Sequence, residues 1–175
     1  MRTIQIRLDD PASIDRAIDA IEGLENRLPA RCREFCMRLA EIGVNVARTV
    51  YTAALYAGTN DTSVHVEMAE NGCRIVANGT ALGFIEFGTG VKYPLGEFAD
   101  QAGAPPHGIY GKGNGRKRSW GYYGDPGNYG RTVANKAGKT LVITDGNPPA
   151  NAFPQAVGEI EAQVLQIARE VFSID

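Results

Sequence analysis

Cysteine, histidine and long apolar runs are the scarce features of this 175-residue chain. Its three cysteines, Cys32, Cys36 and Cys73, cannot all pair, whereas small secreted scaffolds carry a dense, even set. A disulfide-stapled secreted domain is not expected. The N-terminal stretch meets Asp9 and Asp10 before any apolar run long enough for a signal peptide. Within the helical half, the longest stretch free of charge is 49–60, well short of the roughly 18 apolar residues of a membrane span. These absences point to a single domain, 1–175, made in the cytoplasm and lacking a membrane partner. With 43% hydrophobic residues it is large enough to bury a core.

The net charge of −2 hides an uneven distribution. Residues 1–57 are neutral, 58–91 carry −3, and 140–175 carry −4. By contrast, 92–139 hold eight basic residues against three acidic ones, together with Trp120 and five of the seven tyrosines. A basic, aromatic, glycine-rich segment thus lies inside a neutral-to-acidic chain.

Periodicity supplies the elements. Residues 3–8 alternate apolar and polar, as a half-buried strand does. Asp10, Pro11 and Ser13 then offer cap and first-turn chemistry for a helix with the stripe Ile14, Ala17, Ile18, Ile21 and Leu24. Gly23 and Asn26 weaken its end, and Pro29 is expected to start a second, longer helix striped by Phe35, Leu39, Ile42, Val46, Val50 and Ala53. Gly58 and Asn60 are expected to close it. Two strands, 63–68 and 73–78, follow around an Asn71-Gly72 turn. Residues 84–90 read as a strand end running into a turn, and 92–138 as one long, flexible loop without periodicity. A strand at 140–144 and a terminal helix carrying Phe153, Ala156, Ile160, Val164, Ile167 and Val171 complete the chain. The fold class is α+β: a small, mostly antiparallel sheet packed by a long amphipathic helix and a C-terminal helix. Its parts are 1–57, 58–91, the loop 92–138, and 139–175.

Chemistry-bearing residues are few. Cys32 and Cys36 stand one helical turn apart, but a metal site needs three or four ligands and no paired C-x-x-C spacing is present. They read as small buried or half-buried residues, and a disulfide between them is disfavoured by helix geometry. His65 shares a strand face with Glu67 as a solvated pair, and His107 lies in a loop without a partner. Neither stands beside a nucleophile motif, so no catalytic, metal or cofactor residues are assigned. The run 111–119 has glycines and cations, yet its spacing fits neither the Walker nor the dinucleotide pattern. Arg116, Lys117, Arg118, Trp120 and Tyr122 leave a second reading open, a nucleic-acid-binding accessory protein using loop 108–131. The overall acidity of the chain, with a pI of about 5.7, weighs against it. In Phe84-Ile85-Glu86-Phe87-Gly88-Thr89-Gly90, Glu86 sits among large apolar residues. There an ionised carboxylate needs a partner, either a backbone amide or an arginine, in this chain or a neighbour.

That string also carries a resemblance. In order, the chain has a long amphipathic helix, a hairpin, an apolar-Glu-Phe-Gly-Thr run at 84–90, a variable loop with Trp120-Gly121-Tyr122-Tyr123, and Pro149-Ala150-Asn151-Ala152-Phe153-Pro154-Gln155-Ala156 leading into the last helix. Over roughly residues 30–172 this resembles the small minor tail components, or head-tail joining, neck and tail-completion proteins, of long-tailed bacteriophages and prophages. Two departures stand out. Asn60-Asp61-Thr62-Ser63-Val64 keeps only the Asp-Thr of the family's Asp-Thr-Gly-x-Leu run, and Pro and Phe are inverted as Phe153-Pro154. The resemblance implies a structural protein without enzymatic activity, located in the virion. It would form a homo-oligomeric ring there, be monomeric in solution, and contact the head connector, tail tube or tail terminator. Its contact candidates are Glu86, Phe87, Gly88, Thr89, Arg116, Lys117, Arg118, Trp120, Tyr122, Tyr123 and Phe153. The +5 loop would dock on acidic surface of a neighbour, with DNA a secondary partner. Deleting 108–130 is then expected to leave a folded monomer that fails to assemble.

Overall fold

The computed structural model describes residues 6, 7, 9–70, 72–104, 106 and 114–173. The strand expected at 3–8 falls mostly outside these residues, as do His107, the first three residues, 111–113, of the phosphate-loop candidate 111–119, and Asn71 of the expected turn.

Helix α1 spans Pro11–Ala53. It starts as its sequence predicts: the Asp10 carboxylate accepts from the Ala12 amide at 3.1 Å, and Pro11 takes the first turn, where no amide proton is needed. The expected break does not occur, because Pro29 lies inside one continuous helix. A proline frees the carbonyl four residues before it, here that of Glu25, and both residues lie on the exposed side, where water serves as partner. The apolar positions before and after Pro29 also stay in helical phase, which favours continuation. The C-terminus comes earlier than Gly58, at Ala53. Asn60 does close it, donating from Nδ2 to the Tyr51 carbonyl at 2.7 Å.

Strands β1, Ser63–Ala69, and β2, Gly72–Asn78, form an antiparallel hairpin with Val66 opposite Ile75. Each is one residue longer than the alternation indicates. Helix α2, Leu82–Phe87, replaces the strand end expected at this point. Ala81, at its N-cap, and Ile85 are buried four residues apart, and the Ile85 amide bonds the Ala81 carbonyl at 3.0 Å.

The stretch read as a featureless loop contains two strands, β3, Trp120–Tyr122, and β4, Arg131–Ala134. Both pair antiparallel with β5, Thr140–Thr144, giving the order β3-β5-β4. Three or four residues are too few to display a period of two, so these strands exist through pairing with β5, whose Val142 is fully buried. Helix α3, Ala152–Phe172, closes the fold with the expected stripe.

The core lies where α1, the hairpin, α2 and α3 meet, and includes Val44, Ala47, Tyr51, Val64, Ile85 and Ala156. On α1 the deepest line is Ala40, Val44, Ala47 and Tyr51 rather than the stripe expected from the sequence, whose Ala53 is exposed. The helix is covered on two sides, by α3 and by the hairpin, so its buried arc is wider than one stripe. Gly43 marks the tightest approach: a Cβ there would stand 2.3 Å from Ile75 Cδ1 on β2 and 2.8 Å from Ile160 Cδ1 on α3.

Candidate functional site

Three separated stretches, 84–90, 120–123 and 145–153, are folded together. The first joins the third through Glu86, which is 4% exposed. Its two carboxylate oxygens accept from the amides of Ala152 at 2.9 Å and Phe153 at 3.1 Å. These are orphan donors of the first turn of α3, and the positive end of the helix dipole favours the anion. Asn151, the residue at the cap position, does not cap with its own side chain, which instead accepts from the Glu97 amide at 2.8 Å. The partner that Glu86 requires is therefore a pair of backbone amides in its own chain. As an intermolecular contact Glu86 is a poor candidate, being turned inward with both oxygens occupied.

Beyond Glu86 the chain turns at Gly88, with φ +78, where a Cβ would stand 2.9 Å from the Pro149 nitrogen. Thr89 then exchanges backbone hydrogen bonds with Asn147 at 3.0 and 3.2 Å, and their side chains are bonded as well. Asn147, 4% exposed, donates from Nδ2 to the Phe84 carbonyl at 2.9 Å. Phe87 accepts from the Gly96 amide at 3.1 Å. Phe153 meets Tyr51 edge-on at 6.4 Å. The Tyr51 hydroxyl finds no acceptor in hydrogen-bond geometry among the described residues, and burial first, then the nearby Glu86 charge, push its pKa up.

Trp120 and Tyr122 roof a cavity of about 270 Å³ against Tyr56, Phe84, Thr89 and Asn147. Its lining is aromatic and uncharged, suited to an apolar group rather than an ion. Tyr122 is anchored by donating to the Ala57 carbonyl, and burial, then Tyr56 and Asp125, raise its pKa. The neighbouring Tyr123 points outward, its hydroxyl accepting from Asn135 Nδ2 at 2.9 Å.

Arg116, Lys117 and Arg118 are all exposed and follow Gly115 at the cavity rim. Asp145 lies in the same area, bonded by Ser119 at 2.5 Å and 3.6 Å from Arg131. The Ser119 bond holds its carboxyl below the usual range, with Arg131, Lys92 and Arg118 adding to this. One carboxylate thus stands within a cationic surface.

The remaining candidates lie elsewhere. His65 faces Glu67 at 3.3 Å on the exposed face of the hairpin, as its alternation predicts. Cys32, Cys36 and Cys73 are free thiols around a separate cavity of about 590 Å³. Cys32 is exposed, not buried, and Cys73 Sγ contacts Met37 Sδ at 3.4 Å. Among the described residues, no group of three or more His, Cys, Asp or Glu is placed to hold a metal ion, and no helix is long and apolar enough to cross a membrane.

Sequence reasoning missed Asn147 and Gly43. Asn147 stands between Gly146 and two prolines, where a turn explains it equally well, and its bonds to Phe84 and Thr89 span about sixty positions of chain. No family model, curated protein or solved structure matches the chain.

Proposed function

We propose that the chain is a structural assembly protein of a long-tailed bacteriophage or prophage. In this reading it is a head-tail joining or tail-completion component that acts through protein-protein contacts in a homo-oligomeric ring and performs no catalysis. One observation carries the proposal. The stretches that bear the resemblance, 84–90, 120–123 and 149–156, form one interlocked unit in which Glu86 caps α3 and Trp120 and Tyr122 close over Phe84 and Thr89. Residues that hold a scaffold together in this way present loops to partners, and the scaffold here presents Arg116, Lys117, Arg118 and Tyr123 outward. The acidic segments 58–91 and 140–175 supply the complementary sign on an adjoining subunit.

The test is loss of the gene product in the phage that encodes it. Unjoined heads and tails are expected to accumulate, to be rescued by the intact chain, and not by a chain with Arg116, Lys117 and Arg118 all changed to Glu. Full infectivity without the protein would refute the proposal.

The cations around Asp145, namely Arg131, Lys92 and Arg118, favour DNA as a second reading. Phosphate contacts give binding that weakens steeply with salt. Absence of binding to duplex or single-stranded DNA at low salt would eliminate it.

A further inference from the structure

Every cysteine of the chain, and both methionines beyond Met1, come to one place. Cys73 on β2 stands directly opposite Met68 on β1 in the hairpin register, and its Sγ lies 3.7 Å from the Met68 Sδ. Helix α1 packs on the hairpin and brings Met37, whose Sδ lies 3.4 Å from the same Sγ. Sulfurs from three separate elements thus gather at Cys73. Cys32 and Cys36, one turn apart on α1, line the cavity of about 590 Å³ that opens beside Cys73 and Met68. Hydrophobic packing does not account for this group. Met68 is 55% exposed, and none of the five sulfur residues belongs to the core around Val44, Ala47 and Tyr51.

Donor chemistry selects the occupant. Thiolate and thioether sulfurs are soft ligands that favour copper(I) over hard cations. A zinc site draws its ligands from thiolates, imidazoles and carboxylates, and no three His, Cys, Asp or Glu among the described residues are placed for one. One thiolate with two thioethers suits a monovalent soft ion instead. Charge agrees, because a single thiolate neutralises a single monovalent cation and the half-buried complex carries no net charge. Spacing agrees as well. Sulfurs bound at about 2.3 Å from one ion stand roughly 3.8–4.0 Å from one another, close to the 3.4 and 3.7 Å found at Cys73. We propose that Cys73, Met37 and Met68 form a binding site for a monovalent soft metal ion, copper(I), which clips α1 to the hairpin. On binding, the Cys73 S–H bond breaks, a sulfur–copper bond forms and the proton passes to solvent. The ion enters and stays as copper(I), so no electron is transferred. Burial, then the neighbouring Cys36, hold the Cys73 thiol above its ordinary range. The free site is therefore protonated at neutral pH, and binding tightens as pH rises. The site shares no residue with the surroundings of Glu86 or Trp120 and stands independently of the virion reading.

Anaerobic titration of the reduced full chain with copper(I), in competition with the chromophoric chelator bicinchoninate, tests the proposal. Thiols bind copper(I) unspecifically, so the titration is repeated with Cys32→Ser and Cys36→Ser in place. That chain is expected to keep one tightly held ion, to melt at a higher temperature with the ion bound, and to show by X-ray absorption sulfur neighbours at about 2.3 Å. In the same background Cys73→Ser is expected to weaken binding by at least about a hundredfold, and Met37→Leu and Met68→Leu by about tenfold each. The methionine changes conserve volume and apolar character, so the chain still folds, which circular dichroism checks. No binding in competition with the chelator, loss of the ion on replacing Cys32 and Cys36, binding retained by Cys73→Ser, or an affinity unmoved by either methionine change would overturn the proposal.

Discussion

Replacing Glu86 by alanine would strip the first turn of α3 of both its acceptors in a buried place. The expected loss is about 2–3 kcal/mol, read by urea unfolding, with Glu86→Gln costing less because one oxygen still accepts. Gly88→Ala is expected to destabilise by a similar amount, about 2 kcal/mol, since positive φ and the Pro149 backbone both oppose a Cβ. At the surface, three aspartates are held low by threonine or serine donors. Thr80 bonds Asp61 through its hydroxyl at 2.6 Å and its amide at 2.9 Å, Thr59 bonds Asp125 at 2.6 Å, and Ser119 bonds Asp145. Each is thereby held below 3.8. A depressed carboxylate favours the folded state when ionised. Its contribution is complete above the unfolded-state pKa and is lost as pH falls through the folded one. The melting temperature is therefore expected to drop below about pH 4, and Thr80→Val to lessen that drop. An acid-insensitive melting temperature would count against these bonds. Of this set the sequence disclosed only that Glu86 needs a partner; which partner depends on a residue sixty-six positions away.

Among the elements, α1 poses the clearest question, because Pro29 interrupts its hydrogen-bond ladder without ending it. Pro29→Ala is expected to raise stability by about 1–3 kcal/mol by restoring the bond to the Glu25 carbonyl, seen as a higher melting temperature and stronger helical circular dichroism. No change would imply that the helix is already broken at this point in solution. The helix could be read from its stripe and its Asp10-Pro11 start, but its continuity could not: proline argues locally for a break, and only the exposed position of Pro29 and Glu25 lets water take the freed carbonyl. Strands β1 and β2 were legible because seven residues suffice to show alternation. Strands β3 and β4 were not, since their stability comes from β5 rather than from their own pattern.

Across the whole molecule, the basic segment is both surface and scaffold. Deletion of 108–130 would remove β3 and the Tyr122 anchor to Ala57, so it is expected to destabilise the fold instead of leaving it intact. Changing Arg116, Lys117 and Arg118 to serine separates the two roles. Unfolding is expected to stay within about 0.5 kcal/mol of the parent, because all three side chains are exposed, while assembly is lost. A large loss of stability would make them part of the scaffold. The α+β class, the long and terminal helices, the hairpin and the charge asymmetry were determined by the sequence alone, since composition and periodicity are local properties. The short strands, the capping of α3 by Glu86, the cavity under Trp120 and the exposure of Ile14, Ile18, Ile21 and Leu28 on α1 were decided by the tertiary structure. Each depends on which distant segments meet, and no local pattern of residues encodes that distance.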